Sequence, residues 1–384
     1  MTEIVSTIPK ARLLPAVHGL RGLAATSVVL FHLHHLTKLA LPQPLGFVGS
    51  HFGLGVQLFF VLSAFSLCYS TVPSIGKPGW NRDYFIKRLF RIAPLFYAML
   101  GAWVALFYVR HATPGKLDLM LNLMFAYNFV PGKHESIVQA GWTIGVEMIF
   151  YAILPIVLLL VGRIRHALAF FVIAALLSLI CRAAFVQAGG ILEQYAHFAF
   201  ITSLGVFAIG ILGFWAYRSL AGAVHDANAA TGALKVQAVL IGVVLCLFAW
   251  LVSPLGNTLY TAGRADIMMW SLLFGVVIVW QALFPLRPLA SAVMEFLGER
   301  SYSIYLLHPM VIFFLTPINE RLYTAVASLA GAWAFVVCGA FTLSIVVACA
   351  AVTYRFIEVH GIQLGRLLVV RARGPQPGKL RQAV

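Results

Sequence analysis

Apolar stretches of about 20 residues follow one another along almost the whole chain, and this pattern constrains the fold more than any other feature. A helix needs about 20 apolar residues to cross the hydrocarbon core of a bilayer. Only 10% of the 384 residues are charged and 61% are hydrophobic, whereas soluble proteins have about 25% charged residues. The excess of Lys and Arg is spread thinly between the apolar stretches, which argues against a nucleic-acid-binding protein. The sequence therefore predicts an all-α, polytopic integral membrane protein.

Ten membrane-spanning helices are predicted from the lengths of these stretches. They lie at 16–38, 54–72, 89–109, 142–162, 166–186, 197–217, 234–252, 266–285, 301–317 and 326–352. The stretch 117–130 is also apolar but is too short to cross, so we expect it to be interfacial or re-entrant.

The distribution of Lys and Arg predicts the orientation of the helical bundle. One set of alternate loops carries most of these residues, which is typical of cytoplasmic loops. We therefore expect both termini in the cytoplasm. The expected location, which this distribution does not itself specify, is the inner, or plasma, membrane of a bacterial cell. Three segments follow from this interpretation: a cytoplasmic N-terminal segment at 1–15, a membrane domain at 16–358 and a basic, flexible tail at 359–384.

Arg21 and His32 are the most informative ionisable residues of the first predicted helix. Ionisable residues inside spanning helices are costly and mark functional sites. Eleven residues correspond to about three turns plus 20°, so both side chains share one face, with a rise of about 16 Å between them. This arrangement favours a channel for a long anionic ligand. The alternative is that Arg21 snorkels to the headgroups and His32 only caps the outer end of the helix.

No metal site is predicted near these residues. His32, His34 and His35 lie close together in the sequence, but no Cys or carboxylate accompanies them. The five cysteines lie within apolar stretches and lack the spacing of a zinc site.

Glu147 is the second ionisable residue within a predicted span. It lies about two turns inside the fourth helix from the outer side, close to the depth deduced for His32. A carboxylate at that depth should be paired or neutral, and His32 is the candidate partner. The alternative is a protonated Glu147 that is hydrogen-bonded to a carbonyl or hydroxyl group.

Arg88 and Arg91 form a basic cluster at the inner end of the third predicted helix. They are three residues apart and therefore share one face, and guanidinium groups bind phosphates bidentately. We predict a phosphate-binding role for both residues, although a basic loop here also satisfies the positive-inside rule.

Further residues are weaker candidates for the lining of a substrate site. His308 falls near the middle of the ninth predicted span and precedes Pro309, which frees a backbone carbonyl; it could line the site or only join two helices. The weaker candidates are Ser63, Trp142, Tyr302, Tyr305 and His308.

The order of these landmarks resembles acyltransferase family 3, the membrane O-acyltransferases that acylate cell-surface glycans and related molecules. Each matching stretch is a loose hydrophobic pattern, but the ordered set is specific. The stretches are LRGLAATSVVLFH at 20–32, GVQLFFVLSAF at 55–65, YFIKRLFRIAPL at 84–95, WTIGVEMIFY at 142–151 and LGERSYSIYLLH at 297–308.

The resemblance implies a bundle of ten helices and an acyl-coenzyme A (acyl-CoA) donor, usually acetyl-CoA, that binds from the cytoplasm. It implies that Arg21 binds the donor or is structural and that His32 is catalytic. Arg88 and Arg91 match the basic pair of the family, and Glu147 matches an acidic position.

Two single positions and one run of five residues depart from the pattern of the family. Gln57 stands where an acidic residue is usual, and Ala64 stands where Gly is usual. The run 145–149 lacks one carboxylate and one amide of the usual Ser-Val-Glu-Glu-Gln. These changes leave the Arg21–His32 pair intact. Because of them, the acceptor specificity of better-known members of the family cannot be transferred to this chain.

Together, the residues and the resemblance predict an O-acyltransferase that moves an acyl group, in the first instance acetyl, from cytoplasmic acyl-CoA to a hydroxyl of a cell-envelope glycan or glycolipid. The three arginines would bind the CoA phosphates, His32 would act as general base, and Glu147 would orient His32. The main rival is a transporter or flippase for a glycolipid or an acyl group, which would not consume thioester. A structural membrane subunit is disfavoured because it has no need of buried ionisable residues. The acceptor sugar, the acyl chain and the oligomeric state are not readable from the sequence.

Overall fold

The computed structural model describes residues 14–225, 230–256, 258 and 266–373, and within these residues the chain is helical without strands. This confirms the predicted all-α class. The helices whose ends are described are α1 (Pro15–Thr37), α2 (Gly46–His51), α3 (Gly55–Thr71), α4 (Trp80–Val109), α5 (Lys116–Leu123), α6 (Trp142–Leu160), α7 (Ile164–Ala188), α8 (Gly190–Phe198), α9 (Phe200–His225), α10 (Ala230–Val252), α11 (Asp266–Leu283), α12 (Ala292–Glu299), α13 (Ser301–Ala330), α14 (Ala334–Thr353) and α15 (Val359–Arg373).

Eight stretches of the described chain are long and apolar enough to cross a membrane. They are Pro15–Thr37, Gln43–Ser74, Trp80–Val109, Trp142–Leu160, Ile164–Ala188, Gly190–Val224, Thr231–Val252 and Ser301–Arg373. The predicted span at 266–285 corresponds to a shorter apolar helix, Ile267–Leu283. The spans predicted at 301–317 and 326–352 both lie within Ser301–Arg373, which turns at Gly331, a glycine with a φ of 54°. The polytopic bundle is confirmed, whereas the count of ten and the orientation stay predictions.

Helix α1 lies at the centre of the bundle and packs against α3, α12 and α13. Glycines allow its close approach to the chain around α12. A Cβ at Gly19 would lie 2.0 Å from the Leu289 carbonyl oxygen, and one at Gly298 would lie 2.2 Å from the His18 carbonyl oxygen. Small residues at such crossings let helix backbones touch, and here they fix the rotation of α1 and therefore the direction of its polar side chains.

Helices α7 and α10 lie at the periphery. In their most apolar windows only 11% and 6% of the residues are buried, against 67% in the stretch Gln43–Ser74 that contains α3. A helix that is apolar on all sides but largely uncovered by protein is suited to contact with lipid.

The C-terminal helix α15 packs along α4, and this corrects the prediction of a flexible tail that begins at 359. A Cβ at Gly361 would lie 2.6 Å from Pro94 Cγ, and one at Gly365 would lie 2.8 Å from Phe90 Cβ. These two glycines, four residues apart, give α15 a flat face that meets α4 in spite of its basic sequence. Residues 374–384 of the predicted tail, and residues 1–13 of the predicted N-terminal segment, lie outside the described residues.

The stretch 117–130 forms the short helix α5 and a turn at Tyr127–Phe129. It is not among the stretches long enough to span a membrane. One face of α5 and its end carries exposed apolar side chains: Leu117, Met120, Leu123 and Met124. This exposure suits the interfacial location predicted for the segment.

Candidate active site

A cavity of about 350 Å³ lies between α1, α3, α4, α6 and α13. Its volume falls within the range of small-molecule sites, about 300–1,000 Å³. On α3 its lining extends from Val56 to Ser70, which corresponds to about 21 Å of helix. The cavity is therefore long enough for an extended ligand.

The three predicted phosphate-binding arginines, Arg21, Arg88 and Arg91, all line this cavity. Arg91 forms an ion pair with Glu358, whose side chain is fully buried. The second carboxylate oxygen of Glu358 accepts a hydrogen bond of 2.8 Å from the Ser303 hydroxyl. Arg88 is buried, and its Nε has no hydrogen-bond partner among the described residues.

Glu147 is the one carboxylate among the described residues that line the cavity, whereas Glu358 pairs with Arg91 but does not line it. It interacts electrostatically with Arg21 and Arg88 and lies within hydrogen-bonding reach of the Ser63 and Tyr151 hydroxyls. Those two hydroxyl oxygens are 3.4 Å apart. The three guanidinium groups thus face two carboxylates, so the cavity keeps an excess of positive charge that suits an anionic ligand.

The predicted pair of His32 and Glu147 does not form. Among the described residues, no hydrogen bond or ion pair joins the two side chains, and Glu147 has Arg21 and Arg88 as its charge partners. Guanidinium groups compensate a buried carboxylate better than a neutral imidazole does. The predicted depth was misleading because it placed Glu147 beside His32, whereas the α1 residue that it faces is Arg21.

His32 instead contacts His308 of α13. The distance from His308 Nε2 to His32 Nδ1 is 3.1 Å, and the ring centroids are 4.8 Å apart. Pro309 lacks an N–H group and therefore leaves the carbonyl of Tyr305, four residues earlier, without its helical partner. His308 Nδ1 lies 2.5 Å from that carbonyl oxygen.

These contacts determine where each imidazole carries its hydrogen. His32 Nδ1 lies 3.0 Å from the Val28 carbonyl oxygen, and His308 Nδ1 lies against the Tyr305 carbonyl oxygen. A carbonyl oxygen only accepts hydrogen bonds, so Nδ1 carries the hydrogen in both neutral rings. His308 Nε2 then accepts from His32 Nδ1–H, and the lone pair of His32 Nε2 is left to take a proton.

Tyr305 connects the histidine pair to the cavity. Its ring lines the cavity and lies 5.6 Å from the His308 ring, centroid to centroid. Its hydroxyl donates to the Ala140 carbonyl oxygen at 3.2 Å and accepts from the Thr143 hydroxyl at 3.0 Å. Two fixed hydrogen bonds therefore hold this tyrosine at the junction of α6 and α13.

The weaker candidates divide into two groups. Ser63, Tyr302 and Tyr305 line the cavity, whereas Trp142 and His308 are not among its lining residues. Trp142 packs edge-to-face against Phe198 with the ring centroids 5.0 Å apart. Its indole belongs to the packing around α8, and His308 acts behind Tyr305, so neither is a wall of this cavity.

Two residues that line the cavity, and a third that pairs with one of its arginines, were not predicted from the sequence. His18 lines the cavity three residues before Arg21, and its Nδ1 is buried without a hydrogen-bond partner among the described residues. Tyr151 lies one turn after Glu147, and both positions could have been found from helical spacing. Glu358 had one signal, a lone carboxylate in an otherwise basic C-terminal region.

The other histidines of α1 bond to the backbone. His34 Nδ1 lies 2.9 Å from the Leu39 carbonyl oxygen, and His35 Nδ1 lies 3.0 Å from the Phe31 carbonyl oxygen. Within the described parts of the chain, no three His, Cys, Asp or Glu side chains come together as candidate metal ligands.

Comparison with known proteins gives one family and several distant relatives. A family model described as an acyltransferase domain, that of acyltransferase family 3, matches residues 14–351. The chain is 25% identical over 336 residues to a Bacillus subtilis protein named as a putative peptidoglycan O-acetyltransferase, a match that covers 80% of this chain and 50% of the relative. It is 22% identical over 329 residues to a putative O-acetyltransferase of Staphylococcus aureus, covering 80% and 52% of the two chains.

A third relative is more similar in length. The chain is 28% identical over 309 residues to a putative membrane-bound transacylase of Komagataeibacter xylinus, a match that covers 76% of this chain and 71% of the relative. The chain spans about half the length of the Bacillus and Staphylococcus relatives. No solved structure gives a significant match.

Proposed function

We propose, since this chain belongs to acyltransferase family 3, that it is an integral-membrane O-acyltransferase. It takes an acyl group, in the first instance acetyl, from acyl-CoA and delivers it to a hydroxyl of a cell-envelope glycan or glycolipid. The observation that carries this proposal is the arginine-lined cavity, which extends to the tyrosine beside a histidine pair. The names of the relatives, which refer to O-acetyl transfer and to peptidoglycan, support the type of group and the type of acceptor.

The cavity has the charge and the length that an acyl-CoA needs. Arg21 and Arg88 offer guanidinium donors for its phosphates, and His18 adds a buried nitrogen without a partner. The 21 Å of lining along α3 accommodate the extended arm that carries the thioester. In the orientation predicted from the Lys and Arg distribution, the donor enters from the cytoplasmic side of the inner membrane.

His32 is the general base of the proposed reaction. The acceptor hydroxyl oxygen attacks the thioester carbonyl carbon while His32 Nε2 takes the hydroxyl proton. The carbon–sulfur bond breaks, the proton passes to the leaving thiolate, and the products are an ester and the CoA thiol. During this step the Nδ1–H of the His32 imidazolium stays hydrogen-bonded to Val28 and His308. His308 therefore orients His32, which is the role that the sequence predicted for Glu147.

Glu147 is a positioning residue in this proposal. Its carboxylate interacts electrostatically with Arg21 and Arg88 and lies within reach of two hydroxyls. It therefore compensates part of the positive charge of the two guanidinium groups that would bind a phosphate. Without it, the like charges of the two arginines would repel each other inside the bundle.

Release of CoA thiol tests the proposal. Purified protein in nanodiscs is supplied with acetyl-CoA and an envelope-glycan extract, and free thiol is measured for the native chain, His32→Ala and His35→Ala. His35 is the matched control because it lies on the same helix and makes the same bond to a carbonyl four residues earlier, whereas its histidine neighbour, His34, contacts it ring to ring and bonds through Nδ1 to the Leu39 carbonyl oxygen.

We expect glycan-dependent release from the native chain and from His35→Ala, and a loss of about 10²–10⁴-fold in His32→Ala. Full activity of His32→Ala would refute the role of His32 as base. Binding of acetyl-CoA by the native chain without any release of thiol would favour the rival function, transport of an acyl group or a glycolipid.

A further inference from the structure

A second cavity, of about 580 Å³, lies between the end of α4, the helix α5, the loop 131–141 and the helix α8. Its wall contains hydroxyl, amide and carboxylate side chains and a single cation, Lys133. The polar lining residues are Thr113, Asp118, Asn122, Lys133, His134, Glu135, Ser136, Gln139 and Gln194. This composition differs from the arginine-lined cavity, since it offers many neutral hydrogen-bonding groups and no guanidinium.

The charges in this wall largely cancel. Lys133 Nζ lies 2.9 Å from a carboxylate oxygen of Asp118, which leaves Glu135 as the one unpaired charge among the described lining residues. An anionic ligand such as a phosphate finds no free cation here. A neutral, polyhydroxylated ligand finds hydroxyl and amide partners that can both donate and accept.

The loop that forms the wall is held in place before any ligand binds. Asn122 Oδ1 accepts from the Ser136 hydroxyl at 2.6 Å and from the Ile137 backbone N–H at 3.1 Å. Ser136 has a φ of 72°, a left-handed conformation that is unfavourable for a residue other than Gly or Asn. The two hydrogen bonds stabilise this shape, so the cavity is largely pre-formed.

His134 leaves one hydrogen-bonding group of this wall unused. Its Nδ1 accepts from the Gly132 backbone N–H at 3.0 Å, so the neutral ring carries its hydrogen on Nε2. That Nε2 is buried and has no hydrogen-bond partner among the described residues. A buried donor without a partner is uncommon in proteins and is suited to a hydroxyl group of a ligand.

Five consecutive residues join the two cavities. Gln139 lines the second cavity, the Ala140 carbonyl accepts from the Tyr305 hydroxyl, and Thr143 lines the first cavity. Four residues span at most about 14 Å. Gln139 in the wall of the second cavity and Thr143 in the wall of the first therefore lie within about that distance of each other, and the Thr143 hydroxyl donates to Tyr305.

Helix α5 carries an apolar surface beside the second cavity, which suits a position at the edge of the membrane. Asp118 and Asn122, four residues apart, face the cavity. Leu117, Met120 and Met124 are about half or more exposed and form an apolar surface that suits the lipid interface.

We propose that this second cavity binds a sugar ring of the acceptor and presents its hydroxyl to the first cavity. The inference rests on the proposed O-acyl transfer and adds the position and chemistry of the acceptor site. The same sugar chemistry could come from a soluble glycan or from a glycan on a lipid carrier, and the position of α5 at the membrane edge admits both.

Two neighbouring exposed residues of α8 provide a matched pair of variants. Gln194 lines the cavity, whereas Glu193 does not. In bacterial cells that express the chain, ester-linked acetate is released from the envelope saccharides and measured for the native chain, Gln194→Trp and Glu193→Trp. We expect Gln194→Trp to lose at least about tenfold of the acetate added by the native chain, because its indole fills the cavity, and Glu193→Trp to keep it.

A second variant and a second measurement distinguish two causes of lost acetylation, a folding defect and the loss of the acceptor site. Thr113→Trp, in the part of the wall that follows α4, should give the same loss as Gln194→Trp. Purified variants should bind acetyl-CoA within about twofold of the native chain, since the donor cavity is untouched. Acetyl transfer is then measured in nanodiscs with two acceptors, lysozyme-released peptidoglycan fragments and a lipid-linked disaccharide precursor. The acceptor that the native chain modifies shows whether the glycan is soluble or lipid-carried. Loss of transfer by the two Trp variants with either acceptor supports the site.

Two results would overturn the inference. If Gln194→Trp and Thr113→Trp add as much acetate as Glu193→Trp, the acceptor binds elsewhere and the proposed function stands. If the native chain adds no ester above the vector control, the proposed function fails, and the acceptor site fails with it.

Discussion

The two cavities of this protein are built in different ways. The first lies among spanning helices, and its wall carries Arg21, Arg88 and Arg91 with the carboxylates of Glu147 and Glu358 close by. The second lies among loops and short helices, and its wall is held by hydrogen bonds between side chains and backbone. A charged ligand needs fixed charges in a low-dielectric environment, whereas a neutral one needs many donors and acceptors in a stable loop.

Because of this difference, a substitution in one cavity should change the kinetic constants for only one of the two substrates. Changes in the first cavity should act on the acyl-CoA, and changes in the second should act on the acceptor.

Among the changes that separate the two cavities, Arg21→Ala should have the largest effect. It removes a buried cation that we place on a donor phosphate, so kcat/KM for acetyl-CoA should fall about 10²–10³-fold, while the KM for the acceptor stays within about twofold. Steady-state thiol release measures both constants. Arg165→Ala, an exposed position at the start of α7, is the control and should leave both unchanged; an acceptor-specific defect in Arg21→Ala would contradict the separation.

His308→Gln should have the next largest effect. It replaces the rigid imidazole acceptor for His32 Nδ1–H by a flexible amide and loosens the orientation of the base, so we expect kcat to fall about 30-fold with little change in either KM. His166→Gln, at an exposed position of α7, serves as the matched control. An unchanged kcat in His308→Gln would mean that His32 does not depend on its partner.

Asn122→Ala should raise the KM for the acceptor about tenfold. Its amide oxygen holds Ser136 and Ile137 in place, and the loss of a buried hydrogen-bonding group costs about 1–3 kcal/mol. The KM for acetyl-CoA should stay constant. Lys133→Ala is the contrast, because the Lys133–Asp118 pair is partly exposed and such pairs contribute at most about 1 kcal/mol; equal effects of the two changes would contradict this account of the loop.

A dependence on pH should be the smallest effect. Burial lowers the pKa of His134, which lies outside the spanning helices, with a smaller opposing effect from Glu135. His134 therefore binds a proton more weakly in the folded loop than in the unfolded loop. The loop has its maximum stability above about pH 6.5, and its stability decreases as the pH falls below that value.

We expect the KM for the acceptor to rise about threefold between pH 7.5 and 5.5, with no such rise in His134→Asn. The Asn amide oxygen can still accept from Gly132 but does not titrate. The same rise in both proteins would assign the pH dependence to another group.

Part of the candidate site was predictable from the sequence because buried charge is costly. Arg21, Arg88 and Glu147 stand out in apolar stretches, and the structure brings all three to one cavity. Their partners were not predictable in the same way. A helical pattern indicates which residues share a face, but it does not give the rotation of one helix relative to another, so Glu147 was paired with His32 instead of Arg21.

The fold shows the same division. Hydropathy predicts where the spanning helices lie, but it does not predict which of them are covered by protein. Both α7 and α3 are strongly apolar, yet α7 is largely uncovered and α3 is largely buried. The packing of α15 was missed because two glycines decide it, Gly361 and Gly365. The basic composition of that helix hides its contact with α4.

The ion pair between Arg91 and Glu358 has a practical consequence for handling the protein. A chain shortened to end at Ala351 would still contain every residue of the motifs that resemble the family, yet Arg91 would lose its counter-charge. An unpaired buried charge costs about 3–5 kcal/mol, and α4 would also lose the helix that covers it. Affinity tags and fluorescent fusions therefore belong after Arg373, and a truncation series should show activity collapse as the cut passes Glu358, well before it reaches the cavity itself.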